Sequence, residues 1–233
     1  MLFKTRGIVI NYFKYSESSI IVRIYTEELG LQSYIVNGIR SSKSKNRMAF
    51  FQPLTMLELV VYFREDRAKI NRISEHRCRY AFQSIPFDYR KSVVAMFIME
   101  ILTKTLQGEI KNPDLFEFID TSLLIFDQMT EDYENFHLVF LLKLTRYLGF
   151  APQNSEDIFE QIASSRHSSL YHPSKQACGS VLDRLLRADY SEKIKISGKQ
   201  RSELIDYILE YFQIHIENFQ VIKSLEIIRV MNH

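Results

Sequence analysis

The segment from Gly38 to Arg47 reads Gly-Ile-Arg-Ser-Ser-Lys-Ser-Lys-Asn-Arg. It sets four cations, Arg40, Lys43, Lys45 and Arg47, among small polar spacers with no acid between them. Like charges at this spacing cannot be buried, and their repulsion discourages strand pairing. What they can hold is a row of phosphates. The plainer alternative is a solvated surface loop, the usual fate of a charge run. Around this loop, residues 1–80 carry further cations at Lys4, Arg6, Arg23, Arg64, Arg67, Lys69, Arg72, Arg77 and Arg79. The same stretch holds Tyr12, Tyr15, Tyr25, Tyr34, Phe51 and Tyr62 as candidate rings. Cations that track a phosphate backbone, with rings on which bases stack, are what single-strand binding without sequence readout requires. Rings at strand spacing also fill cores, and Phe13, Phe50 and Phe63 are expected there.

The charge is unevenly divided. Residues 1–80 hold fourteen Lys and Arg against seven Asp and Glu, while the rest of the chain holds sixteen against twenty-one. A basic front and an acidic back predict two units with different partners, the front preferring polyanions. The net charge of +2 conceals this split. A 233-residue chain with a 46% hydrophobic fraction can bury a substantial core, and seven Gly with five Pro argue against a disordered or linker-rich chain. Cys78 and Cys178 form no CxxC, so no zinc site is written locally, and a reduced cytosolic protein is the simpler reading. The opening Met-Leu-Phe-Lys-Thr-Arg places charges where a signal peptide needs an apolar run. No run of about 18 uncharged apolar residues predicts a membrane span.

The elements that must position these cations change type near residue 80. Before it the apolar period is two. Gly7–Phe13 reads as a first strand. In Ser18–Thr26, Ile20, Val22 and Ile24 share one face, and Ile21, Arg23 and Tyr25 the other. Glu28-Leu29-Gly30 makes a turn into Leu31–Val36. Leu54–Phe63 reads as a fourth strand. Lys69–Tyr80 reads as a fifth, with Ile70, Arg72, Ser74, His76 and Cys78 alternating against Asn71, Ile73, Glu75, Arg77 and Arg79. A short helix is expected near Asn46–Phe51. Five strands without long helices match a small closed barrel, an OB-fold first and an SH3-like barrel second.

From Phe87 the period is helical. Val93, Val94, Phe97, Ile98, Ile101 and Leu102 form one stripe over Ser92–Leu106. Asn112-Pro113-Asp114 is a capped helix start, and Tyr133–Leu148 is a Leu-rich helix stopped by Gly149. Further helices are expected over Ser155–Ser165, Ser174–Ala188, a long one capped by Ser197, and Ser224–Met231. The fold class is α+β with two domains: a five-stranded OB-fold barrel over residues 1–80 and an all-α domain over 81–233.

Catalysis finds no support. The chain has no GxxxxGK[ST], GxGxxG, HExxH or GxSxG, so no nucleotide cradle, zinc protease helix or nucleophile elbow is written. His167 and His172 lie five apart in a Ser-rich stretch, where a metal would need more ligands than Cys178 supplies. His137 and His215 sit among apolar helical residues. No catalytic residue, metal or cofactor is expected, and the chain is read as not an enzyme.

Several longer segments resemble the bacterial recombination mediator family RecO. They are KTRGIVI at Lys4–Ile10, YSESSIIVRIYTEELG at Tyr15–Gly30, VNGIRSSKS at Val36–Ser44 and QPLTMLELVVY at Gln52–Tyr62. The resemblance continues with LLKLTRYLGFAPQ at Leu141–Gln153 and the closing YILEYFQIHIENFQVIKSLEII. It implies an N-terminal OB-fold and a helical C-terminal domain. It also implies binding of single- and double-stranded DNA, annealing of complementary strands, work with RecR, contact with the C-terminal tail of single-strand binding protein, and help in loading RecA. The implied setting is the bacterial cytoplasm, at the nucleoid. Many members carry a four-cysteine zinc site after the Leu-Gly-x-x-Pro segment. Here Asn154-Ser155-Glu156-Asp157 follows instead, so that site is absent.

The expected DNA contacts are Lys4, Arg6, Arg40, Lys43, Lys45, Arg47, Arg64, Arg67, Arg77 and Arg79. Lys143 and Arg146 are candidate rims for an acidic, hydrophobic peptide tail, although an ordinary helix surface is the better explanation for these two residues. The rival function is a non-enzymatic adaptor whose barrel binds protein rather than DNA.

Overall fold

In a computed structural model of the chain, residues 1–39, 45–63, 70–106, 111–165 and 175–232 are described. Five strands form a closed barrel in the order β1-β2-β3-β5-β4. They are β1 (Leu2–Lys14), β2 (Ile20–Thr26), β3 (Gly30–Val36), β4 (Met56–Tyr62) and β5 (Asn71–Tyr80). All neighbours are antiparallel except β3 and β5, which run parallel through Tyr34↔Asn71 and Ile35↔Arg72. A parallel pair needs a crossover rather than a hairpin. The intervening chain supplies one, with the short helix α1 (Lys45–Met48), a 3₁₀ turn over Ala49–Phe51, and β4.

β1 is long enough to serve two neighbours. Its first half pairs with β4 and its second with β2, and the register shifts between Val9 and Asn11. Such a bulge bends a strand and closes a small barrel. Gly7 stands just before it, where a Cβ would lie 2.7 Å from Ile24 Cγ2 and 2.8 Å from Leu59 Cδ1. Only a residue without a side chain allows that approach.

The β2 alternation is observed: Ile20, Val22 and Ile24 enter the barrel core with Val9, Tyr34, Leu57, Leu59 and Val61. Tyr25 lies on the outward face yet is fully buried, because Phe116 packs on its ring at 6.1 Å. The β5 alternation is not strict. A register shift opposite Val60 and Val61 lets Asn71 and Ile73 face inward before it and His76 after it. His76 then packs against Phe50 and Phe51, at 5.2 and 5.0 Å between ring centroids. A bulge adds one residue, which exchanges the two faces of the strand beyond it.

Among the described residues seven further α-helices follow: α2 (Tyr89–Thr105), α3 (Pro113–Gln128), α4 (Phe136–Leu148), α5 (Ser155–Ser164), α6 (Lys175–Arg187), α7 (Gly198–His215) and α8 (Leu225–Asn232), with a 3₁₀ turn over Tyr133–Asn135 before α4. Their caps follow the expected chemistry. Asn112 Oδ1 accepts from Leu115 N at 3.0 Å, Asn154 Oδ1 from Asp157 N at 3.0 Å, and Ser197 Oγ from Gln200 N at 3.2 Å. Gly149 ends α4 at φ 87°, the left-handed conformation that glycine adopts freely.

The chain divides into two compact units in space. One comprises Met1–Gln83 with Ile101–Leu123, the other Ser84–Glu100 with Leu124–His233. The barrel unit therefore includes the first part of α3. In the other unit α4 is the buried centre, carrying Phe136, Leu138, Phe140, Leu141 and Leu144.

His137 is buried with them, its ring edge-on to Phe97 at 6.0 Å. Neither ring nitrogen has a hydrogen-bond partner among the described residues. Burial, aided by the charge of Arg201, pushes its pKa down to about 3. Above pH 6.5 the ring is neutral folded or unfolded and adds no pH dependence. Between 6.5 and 3 only the unfolded chain takes the proton, so stability falls as pH falls, by about 1.4 kcal/mol per pH unit. Urea denaturation at pH 7 and pH 5 checks this. The wild type should lose about 2 kcal/mol more over that interval than a His137→Leu variant. Equal losses would show that His137 carries none of the acid sensitivity.

Candidate nucleic-acid interface

Register places one residue of each strand, two from β1, in a continuous row across the outside of the barrel. Phe13 pairs with Ile21, Ile21 with Ile35, Ile35 with Arg72, Arg72 with Tyr62, and Tyr62 with Leu2. Directly paired residues point to the same side of a sheet. Arg72 and the three end residues Phe13, Tyr62 and Leu2 are exposed, and Ile21 and Ile35 are half-buried. The row runs perpendicular to the strands.

Described residues at the ends of the connecting segments adjoin this row. The β1–β2 turn, with Tyr15, begins just beyond Phe13. Its Ser18 carbonyl accepts from Ile39 N at 2.9 Å, and Ser19 Oγ donates to Asn37 Oδ1 at 3.0 Å. These bonds hold the chain leaving β3 beside that turn. Phe63 and Ile70, on either side of the β4–β5 connection, adjoin Tyr62 and Arg72. In five-stranded barrels of this type, the β2–β3 face and the loops β1–β2 and β4–β5 take oligonucleotides.

Of the expected contacts, Arg40, Lys43, Arg64 and Arg67 lie outside the described residues. Ile39, Phe63 and Ile70, which flank them, all stand beside the row. The backbone of Lys45 opens α1, and Arg47 in the same helix is exposed. The Arg47 charge, after the larger effect of burial, lowers the pKa of His76.

The other four cations step away from the row along β1 and β5. Lys4, two residues past Leu2, is exposed. Arg6 is paired: it bonds Glu27 at 2.7 and 2.8 Å and Glu117 at 2.8 Å, lies 3.6 Å from Asp120, and stacks over Phe116 at 5.1 Å. Those partners raise its pKa, and its hydrogen bonds hold the Glu27 carboxyl below the usual range. Arg77 is well exposed but bonds Glu58 at 2.7 Å. Arg79 bonds Asp120, a carboxylate only 2% exposed whose pKa burial raises against the pull of both arginines. Lys4, Arg6 and Arg77 share a cleft of about 530 Å³ with Glu27, Glu58 and Glu75. That face is of mixed charge.

Among the rings, Tyr25, Tyr34 and Phe51 are fully buried and cannot be platforms. Phe13, expected in the core, is 53% exposed. Its strand position is odd-numbered past the β1 bulge, which turns it outward. Tyr15 and Tyr62 are exposed as platforms require, and Tyr12 is half-buried. Arg72 belongs to the row although it was only one of many cations in the sequence. The partner strand, not its own segment, identifies it.

Of the two tail candidates, Lys143 bonds Asp189 at 3.2 Å and lies 5.9 Å from the Tyr190 ring centre, while Arg146 is exposed. Cys78 and Cys178 are both thiols. After Pro152 the chain offers an amide, a hydroxyl and carboxylates that cap α5, a donor set that does not suit a four-thiolate zinc centre. Among the described residues no cluster of His, Cys, Asp and Glu could hold a metal ion, and no helix is long and apolar enough to cross a membrane. His167 and His172 lie outside the described residues.

Comparison with known proteins agrees across the chain. The family model described as Recombination protein O N terminal matches residues 1–82, and that described as Recombination protein O C terminal matches residues 86–225. A DNA repair protein RecO of Flavobacterium psychrophilum is 36% identical over 238 residues, covering 98% of each chain. Proteins of the same name from Phocaeicola vulgatus and Bacteroides fragilis are each 34% identical, again over 98% of both chains. With both of its domains matched and relatives aligned over nearly their whole length, the chain belongs to the RecO family of DNA repair proteins.

Proposed function

We propose that this protein is a recombination mediator that holds DNA on the outer face of its barrel. The observation that carries this is the outward row from Phe13 to Leu2, and the sequence supplies cations without an intervening acid at Arg40, Lys43, Lys45 and Arg47, with Arg64 and Arg67 between the strands that carry Tyr62 and Arg72. Those cations and Lys4 neutralise phosphates without reading sequence, and two strands so neutralised approach without mutual repulsion, which lets complementary bases pair. Double-stranded DNA is held through the same phosphates. No bond is made or broken, so the activity needs no catalytic residue. In the cell the protein works with RecR to load RecA onto DNA coated by single-strand binding protein, whose acidic tail it engages near Arg146. Arg6 and Arg79 position the start of α3 rather than DNA. A second reading, protein binding by the barrel, is favoured only at the cleft of Glu58, Glu75 and Arg77, whose mixed charge suits a protein better than a polyanion.

Fluorescence anisotropy of a labelled single strand, titrated at several salt concentrations, tests the reading. Affinity should fall steeply with salt. Replacing Arg40, Lys43, Lys45 and Arg47 together by Ala should weaken binding and reduce the log–log salt slope by about 2 to 3, at roughly 0.7 per phosphate contact. A folded quadruple variant with unchanged affinity and slope would remove the segment from the site.

A further inference from the structure

The row across the barrel is apolar and aromatic where an exposed strand surface is ordinarily polar. Phe13 is 53%, Tyr15 59% and Tyr62 48% exposed, and none of the three rings touches another ring among the described residues. Between them Ile21 and Ile35 make a half-buried apolar floor. The outward positions beside this floor on β2 and β3 are Arg23 and Ser33, paired in register. Arg72 completes the row next to Ile35. No outward position of β2, β3 or the second half of β1 is a carboxylate. The cleft that begins beyond the Leu2 and Tyr62 end of the row, at the pair Lys4 and Val60, by contrast holds Glu27, Glu58 and Glu75. The face thus combines free rings, an apolar floor and uncompensated cations.

Building on the DNA-binding reading, we infer that this row is a base-stacking track for single-stranded DNA: Phe13, Tyr15 and Tyr62 are the platforms and Arg72 holds a phosphate between them. Strands are spaced about 4.8 Å apart, so Phe13 and Arg72 stand ~14 Å apart across three strands, with Tyr62 one strand further. That span suits a few nucleotides, within the roughly 4 to 16 that one such barrel covers. Stacking needs an exposed base face. In a duplex those faces are already stacked, so the rings add affinity for single strands alone. The cations bind both forms through phosphate; the rings discriminate between them.

The test uses the full chain and three labelled probes of equal length: oligo(dT), an abasic strand that keeps the sugars and phosphates, and a duplex. The wild type should bind oligo(dT) more tightly than the abasic strand at matched salt. A Phe13→Leu/Tyr62→Leu variant keeps apolar bulk at exposed positions, so its fold should be intact. It should lose about tenfold or more on oligo(dT), with little change on the abasic strand or the duplex. Its salt slope should be unchanged, because no charge is removed. Phe13→Tyr, which restores a ring, should bind like the wild type. Equal wild-type affinity for oligo(dT) and the abasic strand would overturn the track, as would equal losses on all three probes or a loss in Phe13→Tyr as large as in Phe13→Leu. Wild-type protein that binds none of the probes would instead overturn the DNA reading itself and assign the apolar row to a protein partner.

Discussion

Replacing Arg79 with alanine should lower the stability of the barrel unit by about 3 kcal/mol while leaving DNA affinity of the folded protein unchanged. Asp120 is the reason. Its carboxylate is 2% exposed, on α3, and is held by Arg79 with a longer contact to Arg6 at 3.6 Å. Arg6 is already engaged by Glu27 and Glu117. Without Arg79, a buried charge would be left with one distant partner, and breaking such a pair from one side costs about 3 to 5 kcal/mol. The lower figure is expected because Arg79 is itself 21% exposed and some water reaches the pair. The double variant Arg79→Ala/Asp120→Asn should recover a good part of the loss, because a neutral amide is far cheaper to leave in a poorly solvated site than a carboxylate. Urea denaturation of the single and double variants reads both effects. If the single variant is as stable as the wild type, the pair carries no net stability. If instead stability holds and DNA affinity collapses, Arg79 belongs to the interface after all.

This residue also shows how much of the site was legible in the sequence. Arg79 and Asp120 are 41 positions apart, and no periodicity in either segment reveals that they meet. Charge counting treats Arg79 as equal to Arg40, though one is neutralised by the fold and the other sits in a run with no acid. Strand existence and the helix ends at Asn112, Gly149 and Ser197 were readable, because they depend on apolar alternation and on local chemistry such as the hydrogen bond of Asn112 to Leu115 N. The outward row was not, because it depends on register between five strands. The β1 and β5 bulges shift that register, and they turn Phe13 out and His76 in. Burial of Tyr25 was hidden for a related reason: its cover, Phe116, comes from a helix 91 residues later in the chain.

The second large effect lies in the other unit, at Lys91, which is 2% exposed. Changing it to Met should destabilise the protein by about 3 kcal/mol, a fall in Tm of roughly 6 to 12 °C. Lys91 is in the first turn of α2, where a lysine in the sequence reads as surface. Its ammonium instead donates to the carbonyls of Phe126 at 2.9 Å, Asp127 at 3.0 Å and Met129, and to Ser84 Oγ at 2.6 Å. Phe126 and Tyr133 present ring faces to it at 5.6 and 5.2 Å. The three carbonyls are those of the last turn of α3 and the residue after it, which have no partner within the helix. A cation there also meets the negative end of the helix dipole. Burial lowers the Lys91 pKa, and nearby Asp127 and Asp88 counter it. Asp127 in turn accepts from Ser84 N at 2.8 Å and Ile85 N at 2.9 Å, and Asp88 caps α2 through Arg90 N at 2.8 Å. One lysine therefore ties the end of one helix to the start of another. Methionine keeps the stem and its packing but takes the ammonium from the Phe126 and Met129 carbonyls, while Ser84 Oγ still donates to that of Asp127; each carbonyl left without a donor costs about 1 to 3 kcal/mol before water relieves it. Thermal denaturation of Lys91→Met decides the matter: an unchanged Tm would mean that water replaces the ammonium at no cost and that the two helix ends are held by packing alone.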